Sequence, residues 1–346
     1  ILLANAATAT RADASEVKLA ENGKAFLPIR VGPEATERAR AAATTLAGYL
    51  GRIAGAEFAV REGDGAEGIV VGLPGDFAKL PFDIAFEGGG FGREEYLLRS
   101  TEHGLYLLGA TELAVEHAVW DTLYRLGYRQ FFPGETWEIV PEREKLSLAV
   151  DSLEKPDFFA RRIWYNWGLW DYNRKPYADW CTRNRAVQGF RLSSGHSYGG
   201  YIRENKAEFD KHPEYFALIS GKRNVGGQSK FCISNPGLRK LIADTAVRRF
   251  QKNPGTDSIS VDPSDGAGWC ECEQCAAMGS VSDRALTLAN EVAAAINELG
   301  LGDKYVGMYA YNKHCAPVSI KVHPNVVVSV TMAFLTGGWT FYRVVE

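Results

Sequence analysis

Residues 257–275 read DSISVDPSDGAGWCECEQC. The first five residues place a branched apolar side chain at every second position. They run into Asp262-Pro263-Ser264-Asp265-Gly266, a run of turn formers, so the stretch reads as a strand that stops abruptly. A helical pattern precedes it at 235–253, NPGLRKLIADTAVRRFQKN, with Asn235 as cap and Pro236 at the first helical position. Another follows at 282–300, SDRALTLANEVAAAINELG, with Ser282 expected as its cap. A strand between two helices is the repeating unit of a parallel sheet. In barrels built this way the chemistry sits at the C-terminal ends of the strands, and Asp262 and Asp265 fall there.

Working outward, the same alternation continues. Residues 158–166, 189–197, 213–219, 305–311 and 325–332 read as strands, and 176–188 as a helix. The fold class expected is α/β, with a (β/α)8 TIM-type barrel over 156–346. The residues after Lys155 fall short of the roughly 250 that a complete barrel needs, so the barrel is expected to be incomplete at the C-terminus. Upstream, 16–31 reads as strand, Asn22-Gly23 turn, strand. A helix is expected over 33–55, with Pro33 in its first turn and Gly55 as its stop. Two short strands (57–62 and 68–73), a hairpin (94–110) and a helix from Thr111 to Gly127 complete an N-terminal α/β sandwich-like domain over 16–150. The boundary is placed at Lys155-Pro156. Residues 1–15 are rich in small side chains and are expected to be a disordered or processed leader, which would place the protein in a secreted or periplasmic setting.

Composition narrows the partners. A net charge of −3 gives no electrostatic case for nucleic acid, and no apolar run reaches membrane-spanning length. The 15 tyrosines, 8 tryptophans and 17 phenylalanines supply both core and the flat platforms on which sugar rings stack. The glycine-rich 86–96, FEGGGFGREEY, lacks the spacing and the lysine of a phosphate loop and leads into a strand, so it reads as a loop.

Four groups of residues carry candidate chemistry. Asp262 and Asp265 are candidate catalytic carboxylates, with turn formation as the plainer reading. His196, in SSGHSYGG, falls at another strand end, where a histidine can bond a sugar hydroxyl or move a proton. Arg161, Arg162, Trp164, Asn166 and Trp167 in RRIWYNW, and Tyr309, Tyr311 and Asn312 in MYAYNKH, are candidate substrate contacts. The motif C-x-C-x-x-C at Cys270, Cys272 and Cys275, with Cys232 as the best distant partner, reads as a tetrahedral metal site, zinc by preference, as disulfides, or as free thiols. A thiolate-rich site is structural by chemistry, and no organic cofactor is expected.

Two sets of residues also resemble known families. GLYLLGATELAVEHAVWDTLYRLGYRQFFPGETWEIVP (104–141) resembles the N-terminal α/β domain of bacterial α-glucuronidases and β-N-acetylhexosaminidases. HPEYFALISGKR (212–223), FCISNPGLRK (231–240) and SVDPSDGAGWCECEQC (260–275) resemble the barrel family known as domain of unknown function 4838. The resemblance implies a glycoside-hydrolase-like enzyme acting on an oligosaccharide or polysaccharide. It implies an acidic pair after the fourth strand, spelled here Asp-Pro-Ser-Asp instead of adjacent Asp-Glu, and an arginine on the first strand that grips substrate. His212 and Glu214 belong to the same family pattern. Two other readings remain open, a non-catalytic carbohydrate-binding barrel and a zinc-dependent hydrolase.

Overall fold

The computed structural model describes residues 14–161 and 170–331. They form two compact units, the first ending at Phe190 and the second beginning at Arg191. No helix among the described residues is long and apolar enough to cross a membrane.

The first unit opens with β1 (Val17–Glu21), β2 (Lys24–Ala25) and β3 (Ile29–Val31). Asn22 and Gly23 both take positive φ, 49° and 75°, which is the two-residue turn expected there. Helix α1 (Glu37–Ala54) starts later than Pro33 because Thr36 caps it, its hydroxyl accepting the Ala39 N–H at 3.3 Å. Gly55 ends it at φ 62°. Then come β4 (Val60–Glu62), β5 (Gly68–Gly72), the hairpin β6 (Tyr96–Thr101) and β7 (Gly104–Gly109), and α2 (Glu112–Arg125). The short β8 (Arg129–Gln130) and β9 (Glu138–Ile139) pair with each other, and β10 (Lys145–Leu148) and β11 (Asp151–Glu154) follow. A six-stranded sheet runs in the order β11-β6-β7-β5-β3-β4, and β10-β1-β2 form a second sheet. β5 and β7 pair at Gly68 and Gly104, where a Cβ on Gly104 would stand 2.0 Å from the Gly68 carbonyl oxygen, so only glycine fits.

Alternation along the central strands sorts the core into two layers. Ile69, Val71, Leu105 and Leu107 face α1 and α2 through Leu46, Leu50, Val115 and Val119, all with 1% exposure or less. Val70, Tyr106 and Leu108 face the other way, under Phe77, Leu80 and Phe82. Each such buried aliphatic side chain contributes about 1.5–3 kcal/mol.

The unit does not end at Lys155. Helix α3 (Asp171–Arg183) and its flanks belong to it. Trp180 Nε1 and Asn184 Nδ2 both donate to the Gln130 carbonyl at 3.1 Å. Arg183 pairs with Glu138 at 2.9 Å and Arg185 with buried Asp121 at 2.5 Å. The Phe91 ring meets those of Phe159 and Phe190 at a tilt, with centroids 4.4 and 5.1 Å away. These long-range ties move the boundary from the expected Lys155-Pro156 to Phe190. Helix α3 also begins ahead of Pro176, because the Asn173 side chain accepts the Trp170 N–H at 3.3 Å and caps the earlier turn.

The second unit begins with an extended segment, 191–197, followed by α4 (Tyr198–Glu204) and α5 (Lys206–Lys211). The strand expected over 213–219 is instead a 3-10 turn at Pro213–Tyr215 leading to a two-residue hairpin, β12 (Leu218–Ile219) with β13 (Lys222–Arg223). Gly221, at φ 76°, closes that hairpin before the segment can extend. Next are α6 (Pro236–Lys252), β14 (Ser258–Ser260), α7 (Glu273–Ala277), α8 (Val281–Asn297), β15 (Tyr305–Ala310) and β16 (Val326–Val330). Asn235 Oδ1 caps α6 by accepting the Gly237 and Leu238 N–H groups at 2.9 and 3.2 Å.

β14, β15 and β16 form a parallel sheet, with α6 and α8 packed together beside it. Segment 191–197 runs along β14 without a ladder, joined by one parallel bridge between His196 and Asp262. Serine side chains take the ladder's place: Ser258 Oγ donates to Arg191 O at 2.7 Å and Ser260 Oγ to Gly195 O at 2.6 Å. The described residues therefore show a parallel α/β unit and do not trace a closed eight-stranded barrel.

Ser280, not Ser282, caps α8. Ser280 Oγ accepts the Asp283 N–H at 3.1 Å, and Asp283 Oδ2 accepts the Ser280 N–H and hydroxyl at 3.1 and 2.8 Å. The capping box needs an acidic residue three positions on, which Ser280 has and Ser282 lacks. A hydrogen bond from the Ser319 N–H, then those from Ser280, hold the Asp283 carboxyl down at about 2. A depressed carboxylate pKa stabilises the fold above the unfolded value of about 3.9, and that contribution is lost as pH falls toward 2. Asp283→Asn is expected to melt at a lower temperature than the parent at pH 7. The gap between the two should close between about pH 4 and pH 2 in parallel thermal melts; a gap independent of pH would contradict the assignment.

Candidate active site and thiol cluster

β14 ends at Ser260 and Asp262 lies just beyond it, with no exposure to solvent. Its Oδ1 accepts the Tyr309 N–H at 2.8 Å, from the adjacent strand β15. His314 Nε2 stands 3.6 Å from the same oxygen, and His196 Nδ1 stands 3.0 Å from Oδ2. The Asp262 carbonyl accepts both the N–H and the hydroxyl of Ser197, at 3.0 and 3.1 Å. One aspartate thus ties β15 and segment 191–197 to the end of β14, with the 312–314 turn beside it.

His196 Nδ1 lies 2.6 Å from the Pro263 carbonyl. A carbonyl can only accept, so Nδ1 carries the proton and Nε2 is the nitrogen left to gain or lose one. Nε2 faces Asp265, 3.7 Å from its Oδ1, and the imidazole is about a third exposed. Asp265 is open to solvent, with 64% of its side chain exposed. The Gly266 N–H, 2.7 Å from Oδ1, holds its carboxyl below the usual aspartate range, and Tyr311, His196 and Lys230 act in the same direction. The Tyr311 hydroxyl is in turn raised, first by burial and then by its bond to Asp265. The Tyr311 and Tyr309 rings flank the imidazole edge-on, with centroids at 5.4 and 6.4 Å. Asn312 takes φ 52° in the turn that brings His314 back beneath Tyr311.

The structure thus brings together Asp262, Asp265, His196, Tyr309 and Tyr311, with Asn312 in the turn that follows, and separates the two aspartates by environment, one sealed and one open. Arg161 lies in the first unit. Its guanidinium is engaged within the first unit by buried Glu94, by the Phe158 carbonyl at 2.7 Å and by the Val187 carbonyl at 2.8 Å. These contacts tie Glu94, Phe158 and Val187 together within the first unit. Arg162, Trp164, Asn166 and Trp167 lie outside the described residues. His212 and Glu214 form a local pair at 2.8 Å.

Sequence reasoning missed His314, Lys230 and Trp269. His314 is buried, neither ring nitrogen has a hydrogen-bond partner among the described residues, and its ring meets Trp269 at 5.4 Å. Lys230 is 3% exposed, and its ammonium donates to the carbonyls of the loop that carries Asp265. Only its place two residues before Cys232 signalled it.

Beyond that loop the four cysteines converge. Cys232, Cys270, Cys272 and Cys275 are all buried, and their sulfurs lie within 4.8 Å of one another. The separations 3.7 Å (232–272), 3.9 Å (232–275) and 3.5 Å (270–272) exclude disulfides, whose sulfurs stand about 2.05 Å apart. They suit four sulfurs around one tetrahedral ion, whose bonds of about 2.3 Å set S···S edges near 3.8 Å. Backbone N–H groups point at the sulfurs: Leu218 to Cys270 at 3.3 Å, Ser234 to Cys275 and Cys275 to Cys272 at 3.4 Å. Hydrogen bonds from Cys270 and Cys275 favour the Cys232 thiolate, with Ser234 and Arg223 adding to them. This buried cluster of four thiols can hold a metal ion, and it offers sulfur on every side, with no open coordination position.

No curated protein matches the chain. Among solved structures it is similar to a Streptomyces plicatus N-acetyl-β-hexosaminidase (TM-score 0.40, 15% identity, covering 92% of this chain and 66% of that one). It is similar to a Flavobacterium johnsoniae chitobiase (0.44, 11%, covering 91% and 53%). A third is a family GH115 4-O-methyl-α-glucuronidase with specificity for decorated arabinogalactans (0.43, 12%, covering 90% and 45%). The chain therefore spans two thirds or less of the length of these proteins. Residues 132–336 match the family described as Domain of unknown function (DUF4838), to which this chain belongs.

Proposed function

We propose that this chain is the carbohydrate-active part of a glycoside hydrolase-like protein. The observation that carries the reading is His196, held between sealed Asp262 and open Asp265 at the C-terminal edge of a parallel sheet, with two tyrosines beside it. Asp265, kept ionised by its donors, is the carboxylate presented to the sugar. His196 Nε2 carries the proton that the leaving oxygen takes up, and Asp262 positions the imidazole from behind. Tyr309 and Tyr311 offer ring faces for a pyranose. Cleavage by two carboxylates needs a second one in contact with substrate, and Asp262 is sealed. That observation favours, as a second reading, a site that binds carbohydrate without cleaving it.

A panel of oligosaccharides separates the two readings. With a cleaved substrate, Asp265→Asn is expected to lower turnover about 100-fold or more, and His196→Ala by a similar factor. Asp262→Asn, acting through His196, should cost up to about 100-fold. The acid limb of the pH–rate profile should lie below the usual aspartate value of about 3.9 and move up in Tyr311→Phe, which removes a donor to Asp265. Undiminished turnover in both aspartate variants removes them from the mechanism, and binding without hydrolysis establishes the second reading.

In the same reading the thiol cluster holds a structural zinc ion, supported by four buried sulfurs at tetrahedral spacing. Elemental analysis should find one zinc per chain. Chelation, or Cys275→Ser, should lower the melting temperature of the second unit and turnover together. Turnover lost on chelation with the fold intact would instead mark a zinc-dependent hydrolase.

A further inference from the structure

Four consecutive carbonyl oxygens converge on one buried atom beneath the loop that carries Asp265. Lys230 Nζ lies 2.5 Å from Ser264 O, 3.1 Å from Asp265 O, 2.8 Å from Gly266 O and 3.2 Å from Ala267 O. In extended chain successive carbonyls point to opposite sides. Here the loop curls so that all four point inward, with Gly266 and Gly268 at φ 74° and 95°. Four oxygen dipoles aimed at one point repel each other unless a cation sits among them, which is how carbonyl cages replace the hydration shell of potassium. Four acceptors for one nitrogen match the three hydrogens of an ammonium, one of them shared, and exceed the two of a neutral amine. The Trp269 ring, with its centroid 5.4 Å from Nζ, adds a face that attracts cations.

We propose that the Lys230 ammonium is a tethered cation at the centre of this carbonyl cage, and that it is the positioning residue that holds Asp265 in place. One of the four carbonyls belongs to Asp265 itself, and the next belongs to Gly266, whose N–H bonds the Asp265 carboxylate at 2.7 Å. Fixing these two peptide units fixes the direction in which that carboxylate faces His196. A flat guanidinium is longer and presents its donors in one plane, so arginine does not replace lysine here. The inference stands on the loop geometry and goes beyond the reading of Asp265 as a hydrolytic group. It is tested without a substrate.

The test uses the whole chain, with Lys230→Ala and Lys230→Met read by NMR. The readouts are hydrogen exchange at the Gly266 amide and titration of the Asp265 carboxyl carbon. Both variants are expected to exchange the Gly266 amide at least tenfold faster and to titrate Asp265 at higher pH than the parent. In Lys230→Ala, 100 mM n-propylammonium, which supplies the missing three carbons and the ammonium, should restore at least half of each change. Sodium chloride at the same ionic strength should not, and Lys230→Met, whose side chain fills the channel, should not respond. Should neither variant fold, Gly266→Ala, which opposes the left-handed turn with the lysine still in place, is expected to shift both readouts the same way. Unchanged Gly266 exchange in a folded variant, or recovery with sodium as complete as with propylammonium, would overturn the proposal.

Discussion

A carboxylate sealed from water sits where β14 ends, and polar groups from three segments of the second unit gather around it. Removing a carboxylate from water costs several kcal/mol unless donors replace the lost hydration. Asp262 draws one donor from the backbone of β15, through Tyr309, and has an imidazole near each oxygen. The 191–197 segment that delivers His196 has no β-ladder to hold it against β14. Its registry comes from polar links instead: Ser258 and Ser260 reach the carbonyls of Arg191 and Gly195, and Ser197 returns two bonds to the Asp262 carbonyl. Small hydroxyl side chains on a buried strand would otherwise be a liability, and here each one is satisfied across the gap.

The loop that follows, 263–272, contains no helix or strand, so its shape depends on contacts at points. Two chain segments cross twice within a few residues. Lys230 meets the carbonyls of 264–267, and Cys232, two residues later, meets the sulfurs of 270, 272 and 275. One crossing collects oxygens around a positive charge, and the other collects sulfurs in the geometry of a tetrahedral ion. Between them Trp269 contacts both Lys230 and His314, so it joins the cage to the Asp262 cluster. A loop fastened at both ends in this way keeps a carboxylate in one orientation although most of its side chain is in water.

What could be read from the sequence was what is encoded within a few residues. The Asn22-Gly23 turn, the β6–β7 hairpin, the Thr111 and Asn235 caps and the strand before Asp262 all rest on neighbours in the chain. The choice between Ser280 and Ser282 was also local, but it needed the acidic partner at the third position. Features set by distant partners were not legible. Helix α3 belongs to the first unit because Gln130, Glu138 and Asp121 hold it there, and Arg161 is engaged by Glu94, 67 positions away. Residues 213–219 have a strand's composition but stop at a hairpin. The four cysteines were legible because sulfur is rare and closely spaced here, whereas Lys230 is one of many lysines until its four acceptors are seen.

Within Asp-Pro-Ser-Asp, spacing alone treats the two carboxylates as equals, and the fold does not. Asp262 is turned inward by the strand it ends, and Asp265 is turned outward by the curl at Gly266. Their roles divide accordingly. The inner carboxylate lies 3.0 Å from the His196 imidazole, and the outer one is open to solvent. His196 Nδ1 is engaged by the Pro263 carbonyl, which leaves Nε2 facing Asp265. On the proposed reading the reactive pair is then a histidine and an aspartate in contact, with the second aspartate behind the histidine. That order, buried acid, imidazole, open acid, runs from the strand end to the solvent. It also explains why so much of the second unit's polar bonding is spent on segments 191–197 and 262–267, neither of which contains a helix and both of which meet at His196.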